Sequence, residues 1–370
     1  MSDNYAHHIA LLGAGTIGLS MAAMHLRRPD TCITIFDPRP DAEDHLCTQL
    51  PSFLDLTETE TEAGNVDGGS KTSNTPSGHT LQLLSKGTRL RLASSIQDAV
   101  QRATIVQEQT PELLSSKQSL WLEVSRYVTP TAHLWSSSSG IPASAQAETC
   151  PPDLQARLLV VHPFNPPHLM PLVEIVPGPS TSADRVSFVQ EYFTGIPAPA
   201  SARANQSSPA YYRPVVLQKE IPGFVGNRLA FALLREACHL VSEGVVTARD
   251  LDAIVLSSLG PRWAGSGVFE SYHAGGGPGG IGAFLDKLAP TIQEVWSQLG
   301  TPVILAEGSR AELHDRGGEQ GDPRESWRQM VVTQTEEAYG PGMSADTRAR
   351  KEQMLKGVLE LQRQVGEEEP

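Results

Sequence analysis

A glycine-punctuated turn between two apolar runs constrains this chain more than any other feature. Residues 8–12 read as a short buried strand, Gly13-Ala14-Gly15-Thr16-Ile17-Gly18 follows at once, and 19–26 continues as an apolar helix. Residues 32–36 supply a second strand, closed by Asp37-Pro38. In such a strand, turn, helix, strand unit the first glycine permits the tight turn, the second lets backbone approach a pyrophosphate, and the third lets helix and strand pack closely. The unpaired amides at the helix N-terminus suit an anion. A carboxylate about 20 residues further on can accept hydrogen bonds from adenosine ribose hydroxyls, and Asp37 stands there. Its charge opposes the extra phosphate of NADP. The expected cofactor is therefore NAD, contacted by Gly13, Gly15, Thr16, Ile17, Gly18 and Asp37, although Arg39 puts a cation close by. A bare glycine fingerprint is common in unrelated loops; the flanking elements and the acid give this one its weight.

The alternation continues along the chain. Residues 96–103 predict a helix, 104–108 a strand, 113–128 another helix and 158–162 a further apolar strand, which favours a parallel sheet. After Pro222 the pattern changes, with Phe224, Leu229, Leu233, Leu234, Ala237 and Val241 at helical spacing. The expected architecture is a Rossmann-type doubly wound α/β domain over 1–217, followed by an all-α domain over 218–370. Residues 57–77 hold Thr-Glu repeats, glycines and serines and predict a mobile insertion. Two more irregular stretches, 197–213 and 307–323, predict loops.

Composition narrows the function classes. A net charge of −13 on 370 residues repels nucleic-acid phosphates and anionic lipid at long range. Cys32, Cys47, Cys150 and Cys238 are too scattered for a zinc cage or a disulfide framework, so no metal and a reducing, cytoplasmic compartment are expected. The apolar stretch 9–24 has Asp3 where a secretory signal would carry basic residues. No window approaches the roughly 20 apolar residues that a bilayer demands.

Further along, His162-Pro163-Phe164-Asn165-Pro166-Pro167, then Pro171-Leu172-Val173-Glu174-Ile175-Val176-Pro177, and then Lys219-Glu220-Ile221-Pro222-Gly223-Phe224-Val225-Gly226-Asn227-Arg228-Leu229 form long, separated motifs. Together they resemble the 3-hydroxyacyl-CoA dehydrogenase superfamily, in particular the branch of lambda-crystallin and L-gulonate 3-dehydrogenase. The resemblance implies an NAD-dependent oxidation of a 3-hydroxy acid, with His162 as general base and Glu174 as its carboxylate partner. It further implies that Ser139, in the run Ser136-Ser137-Ser138-Ser139, bonds the reacting oxygen, that Asn227 polarises the substrate, and that Glu112, Lys117 and Asn165 touch the cofactor. Elementary chemistry agrees about the histidine. When hydride leaves a carbinol carbon the hydroxyl proton must leave too, and imidazole titrates close enough to neutrality to take it. Blander roles exist for the others: a helix-cap asparagine for Asn227, a first-turn acid for Glu112, a solvated side chain for Lys117.

Departures from the family pattern bear on the substrate. Members that use acyl-CoA carry a basic helical hairpin after the second strand. This chain offers Asp41, Glu43, Asp44, Asp55, Glu58, Glu60, Glu62 and Asp67 there against Lys71, which disfavours a polyanionic coenzyme. A small L-gulonate-like hydroxy acid is expected instead of a CoA thioester. Residues 260–264 and 269–273, with the glycines of 275–280, also resemble carnitine 3-dehydrogenase. Arg262 is then a candidate carboxylate clamp, and Trp263 and Tyr272 a candidate wall for a trimethylammonium group. A homodimer is expected from the resemblance and from the apolar face of helix 348–365. The contrasting class is a crystallin-like structural protein without turnover, against which the intact constellation argues.

Overall fold

The computed structural model describes residues 5–54, 89–198, 211–302, 304 and 323–366. The expected insertion over 57–77, and nearly all of the irregular stretches 197–213 and 307–323, lie outside the described residues. The chain divides into two compact units, Met1–Asn227 and Arg228–Pro370.

In the first unit, β1 (His7–Leu12), β2 (Thr31–Phe36), β3 (Leu90–Leu92), β4 (Ile105–Glu108), β5 (His133–Ser136), β6 (Leu158–Pro163), β7 (Leu172–Pro177) and β8 (Arg213–Val216) form one sheet in the order 3-2-1-4-5-6-7-8. The strands from β1 to β6 run parallel; only β6 and β7 pair antiparallel. The strands are apolar on both faces, as strands covered by helices on each side must be. Ile9 and Leu11 of β1, with Leu159 and Val161 of β6, enter one core cluster. Their neighbours Ala10, Leu12, Leu158 and Val160 enter the other, because successive side chains point to opposite faces. The first cluster is closed by α1 (Thr16–Leu26) and α7 (Ala183–Thr194), the second by α3 (Ile96–Val100) and α4 (Leu114–Val124). Shorter helices α2 (Ala42–Gln49), α5 (Ala143–Gln146) and α6 (Pro152–Gln155) lie between. The sheet is therefore doubly wound, as its sequence pattern predicts. Strand order reverses beside β1 and β4, which opens a crevice at their carboxyl ends.

The second unit is helical: most of α8 (Gly226–Ser242), then α9 (Ala248–Ile254), α10 (Gly260–Gly265), α11 (Val268–Gly275), α12 (Gly280–Gln298), α13 (Pro323–Tyr339) and α14 (Ala345–Gly366). The first unit ends at Asn227; the expected division lay at 217/218 and the change of sequence character at Pro222. The reason is local. The Gly223 amide donates to the Gly140 carbonyl at 3.1 Å and Asn227 Nδ2 donates to the Ser139 carbonyl at 2.8 Å, which ties the segment to the sheet domain.

One polar chain crosses the core beneath the sheet. His25, fully buried on α1, lies 2.7 Å from Tyr192 Oη through Nδ1 and 2.8 Å from Gln107 Oε1 through Nε2, and Gln107 Nε2 donates to Ser137 Oγ at 3.0 Å. Burial lowers the His25 pKa from 6.5 to about 4, against the Gln107 hydrogen bond, which favours the charged ring. The unfolded chain thus binds a proton at this residue before the folded chain does. Stability should fall as pH drops from 6.5 towards 4, by about 1.4 kcal/mol per pH unit from this group. Urea unfolding of the native chain and of His25→Gln across that window checks it. The variant should show the shallower dependence, and equal slopes would remove His25 as the cause.

Candidate active site

The turn after β1 meets three separate demands. Gly13 has φ 108°, a left-handed conformation closed to most side chains, and a Cβ on Gly18 would lie 2.0 Å from the Gly13 carbonyl oxygen. A Cβ on Gly15 would meet nothing within 4 Å, so the middle of the turn is open. Gly13, Gly15, Thr16 and Ile17 line a cleft of about 990 Å³ with Asp37, Arg39, Ile96, Thr110, Pro111 and Leu120. Gly18 packs beneath it. At the end of β2, Asp37 accepts from the Ala14 amide at 2.7 Å through one oxygen and from Arg39 Nε at 2.7 Å through the other. Burial pushes its carboxyl up, but the Arg39 guanidinium and the backbone amides outweigh that and hold it below the usual carboxylate range. Arg39 is thus engaged with Asp37. An open helix N-terminus, a close-packed turn and an ionised acid at the ribose position fit NAD, which when bound would supply the hydride acceptor.

The run of four serines that begins at the last residue of β5 sorts its hydroxyls by partner. Ser136 Oγ donates to Glu108 Oε1, Ser137 Oγ accepts from Gln107, and Ser138 Oγ donates to Glu112 Oε1. Ser139 is exposed, and its hydroxyl has no partner among the described residues. Glu112 also accepts the amides of Ser139 at 3.0 Å and Gly140 at 2.9 Å, so its carboxylate fixes the loop from which Ser139 projects. Below the loop, Lys117 is 1% exposed and donates to both oxygens of Glu108 at 2.8 and 2.9 Å, with Glu108 0% exposed. Lys117 Nζ also reaches the Thr110 carbonyl at 3.2 Å and lies 3.5 Å from Glu112 Oε2. It is a buried strut rather than a solvated side chain. Glu108 was not among the residues singled out by sequence, since its pairing depends on a helix returning over the end of β4.

His162 and Glu174 face each other directly across the antiparallel pair β6 and β7. Both are 3% exposed, and His162 Nδ1 lies 2.8 Å from Glu174 Oε2. An ionised carboxylate only accepts, so Nδ1 carries the proton of the neutral ring and Nε2 keeps its lone pair; Nε2 has no partner among the described residues. Glu174 Oε1 accepts the amides of Val225 at 3.1 Å and Gly226 at 2.9 Å. Burial drives the Glu174 pKa up, but the hydrogen bonds from His162, Gly226 and Val225 reverse the balance and hold it below the usual carboxylate range. Phe164 and Phe224 flank the imidazole, with ring centroids 4.8 and 5.5 Å away.

Asn227 is half-buried and bonded to the Ser139 backbone, and its Oδ1 has no partner among the described residues. Asn165 is exposed on the loop after β6, before the cis peptide to Pro166. Because β4, β5 and β6 are parallel, Glu112 and Ser139, which follow β4 and β5, and His162, near the end of β6, lie at the same carboxyl end of the sheet. Arg262 belongs to the second unit, exposed on α10.

The model of the 3-hydroxyacyl-CoA dehydrogenase NAD-binding domain matches residues 8–198, and that of the C-terminal domain of the same family matches 223–299. An L-carnitine dehydrogenase of Streptomyces coelicolor is 31% identical, covering 99% of this chain and 96% of the relative. A 3-hydroxyacyl-CoA dehydrogenase of Gibberella moniliformis is 34% identical over 77% of this chain and 78% of the relative. Among solved structures, the NAD+-dependent dismutase 5-formyl-3-hydroxy-2-methylpyridine 4-carboxylic acid 5-dehydrogenase superposes with a TM-score of 0.59 at 25% identity, over 96% of this chain and 97% of that one.

The buried pair beneath the serine loop generates a prediction of its own. Glu108→Gln leaves the Lys117 ammonium buried without its carboxylate and should lower stability by about 3 kcal/mol. Urea unfolding at neutral pH measures it, and a loss below about 1 kcal/mol would contradict the strut role.

Proposed function

The chain belongs to the 3-hydroxyacyl-CoA dehydrogenase family and is an NAD-dependent oxidoreductase acting on CH–OH groups, and from that premise we propose that it oxidises the 3-hydroxyl of a small zwitterionic hydroxy acid of the L-carnitine class to the 3-keto acid. The observation that carries the proposal is the buried His162–Glu174 pair with Nε2 of the imidazole unbonded among the described residues. Nε2 takes the hydroxyl proton as hydride departs, and Glu174 holds the ring and stabilises the imidazolium that forms. The Ser139 hydroxyl bonds the reacting oxygen, and the Asn227 side chain orients the substrate. Glu112, Lys117 and Asn165 complete the nicotinamide side, Glu112 and Lys117 through the loop and floor that they fix. In the reducing direction the same imidazolium returns the proton.

Similarity to an L-carnitine dehydrogenase along 99% of the chain supports this class ahead of the gulonate-like acid suggested by the lambda-crystallin resemblance. Arg262 supplies a guanidinium for the carboxylate, and Trp263 and Tyr272, both half-exposed on α10 and α11, supply aromatic faces for a quaternary ammonium. The net charge of −13 and Glu43 and Asp44 in the first turn of α2 oppose a polyanionic coenzyme. A second reading, a 3-hydroxyacyl-CoA substrate, is favoured by the Gibberella relative's name. Micromolar binding of an acyl-CoA at moderate salt would select it.

We place the enzyme in a reducing, cytoplasmic compartment, as four free cysteines suggest. Among the described residues no helix is long and apolar enough to cross a membrane. We further propose a homodimer. The helical unit leaves Phe231, Leu234, Phe269, Trp296, Met354 and Leu361 exposed by 60, 52, 79, 64, 67 and 60%, an apolar surface that a second copy would cover. Light scattering at micromolar concentration should return twice the chain mass, and monomer alone would exclude the dimer.

Spectrophotometric NADH formation with L-carnitine and a panel of other 3-hydroxy acids tests the activity. His162→Ala should lose about 10³-fold in kcat while NAD binding, followed by fluorescence titration, is retained. Full activity in that variant would refute the mechanism, and a native chain that turns over no 3-hydroxy acid would favour a structural, crystallin-like protein.

A further inference from the structure

The segment that delivers two amides to Glu174 turns on an unusual residue. Phe224 has φ 51°, a left-handed backbone in a residue with a bulky side chain, and Gly223 before it has φ 76°. Among the described residues outside glycine, Phe224 alone has positive φ. For an L-residue this conformation is unfavourable, and glycine would adopt it without strain. Yet the position holds a phenylalanine with 0% exposure, packed in the core cluster with Leu12, Trp121 and Val160, its ring tilted 53° to the imidazole of His162. Burial of the ring offsets the backbone strain. The consequence falls on the next two residues: with the chain reversed at Gly223 and Phe224, the amides of Val225 and Gly226 converge on the same oxygen of Glu174.

We infer that Phe224 is a positioning residue for the His162–Glu174 pair: its buried ring holds a left-handed turn that aims two backbone amides at Glu174 Oε1, leaving Oε2 to hold the imidazole. This inference rests on the proposed role of His162 as base. It adds a cause for the state of Glu174 that neither member of the pair supplies. On β6, His162 is the one titratable group bonded to the carboxylate; the opposite contacts on the Phe224–Gly226 segment are backbone amides, and Val215 is its register partner on β8. Both amides favour the charged form of Glu174. A ring too small to fill the core would free the turn, withdraw the amides and let the carboxyl take up a proton at higher pH. Strain and anchoring make opposite forecasts for glycine. If backbone strain alone mattered, Phe224→Gly would improve the site; if the ring is the anchor, that variant loosens it.

The test uses the full-length protein. The downfield proton of the His162 Nδ1–H···Glu174 hydrogen bond is followed by NMR on acidification without cofactor, assigned by its absence in His162→Gln. In Phe224→Ala and Phe224→Gly it should be lost at higher pH than in the native chain, with Phe224→Leu, which keeps an apolar anchor, between them. With L-carnitine and NAD, kcat should fall about tenfold or more in the Ala and Gly variants with little change in KM. Folded variants that lose the resonance at the native pH, or a Gly variant that matches the native chain, would overturn the inference. Should the Ala and Gly variants fail to fold, the Leu variant gives the same readout. The NMR arm needs no turnover, so an inactive native chain would count against the proposed function and leave the positioning role to be decided by the resonance.

Discussion

Glu174 is buried in the sheet opposite His162, and a carboxylate in that position costs several kcal/mol unless hydrogen bonds replace its water. Its two oxygens are satisfied from different directions. Oε2 receives the imidazole across the β6–β7 pair, which exists because β7 is the strand that reverses direction. Oε1 receives the Val225 and Gly226 amides, which exist at that place because the chain turns back on itself at Gly223 and Phe224 before α8 begins. A one-residue slip of β7 would send Glu174 to the other face of the sheet. The β6–β7 register and the ring tautomer thus both answer to one side chain.

A second buried charge pair organises the neighbouring loop. Lys117 and Glu108 are sealed under the carboxyl end of β4, and replacing such a pair with apolar residues is often no less stable. What the pair supplies here is geometry. Glu108 accepts Ser136 Oγ and Thr110 Oγ1, so the ends of β4 and β5 and the loop after β4 share one anchor. Glu112 repeats the device a turn higher and takes Ser138 with the two amides that follow. Three of the four serines are committed to holding the loop, and the fourth is presented with its hydroxyl unbonded among the described residues. A run that looks like low-complexity sequence is a set of distinct contacts.

How much of this was legible depended on how far apart the cooperating residues lie. The β1–α1–β2 unit announces itself because glycine spacing, apolar runs and Asp37 fall within one short segment, and the structure keeps all of them in one cleft. His162 and Glu174 were legible through long motifs, and the structure pairs them directly across β6 and β7. By contrast β5 spans only His133–Ser136, and in four residues a period of two cannot be told from chance. Helix α7 was missed although Val189, Tyr192 and Phe193 lie on its buried face, because Asp184, Arg185 and Glu191 dilute the pattern. The polar chain from Tyr192 through His25 to Gln107 links residues 167 and 82 positions apart, and nothing local marks it. Between Pro222, where the composition turns helical, and Asn227, hydrogen bonds still bind the chain to the sheet domain, and such long-range bonds leave no local mark in the sequence.

That last point separates chemistry from selection. Every residue proposed to move or hold the proton, from Ser139 through His162 and Glu174 to Asn227, lies in the first unit. The residues proposed to recognise a zwitterionic acid, Arg262, Trp263 and Tyr272, belong to the second, on short helices whose side chains are exposed. The dyad is held by register and by backbone amides, all supplied within the first unit. Side chains on an exposed helix can be exchanged at little cost to the fold, since surface substitutions usually move stability by less than about 0.5 kcal/mol. A fold partitioned in this way can keep one proton-transfer device while the second unit is altered to accept different acids. The relatives of this chain carry different substrate names, L-carnitine dehydrogenase and 3-hydroxyacyl-CoA dehydrogenase, as such a partition would allow.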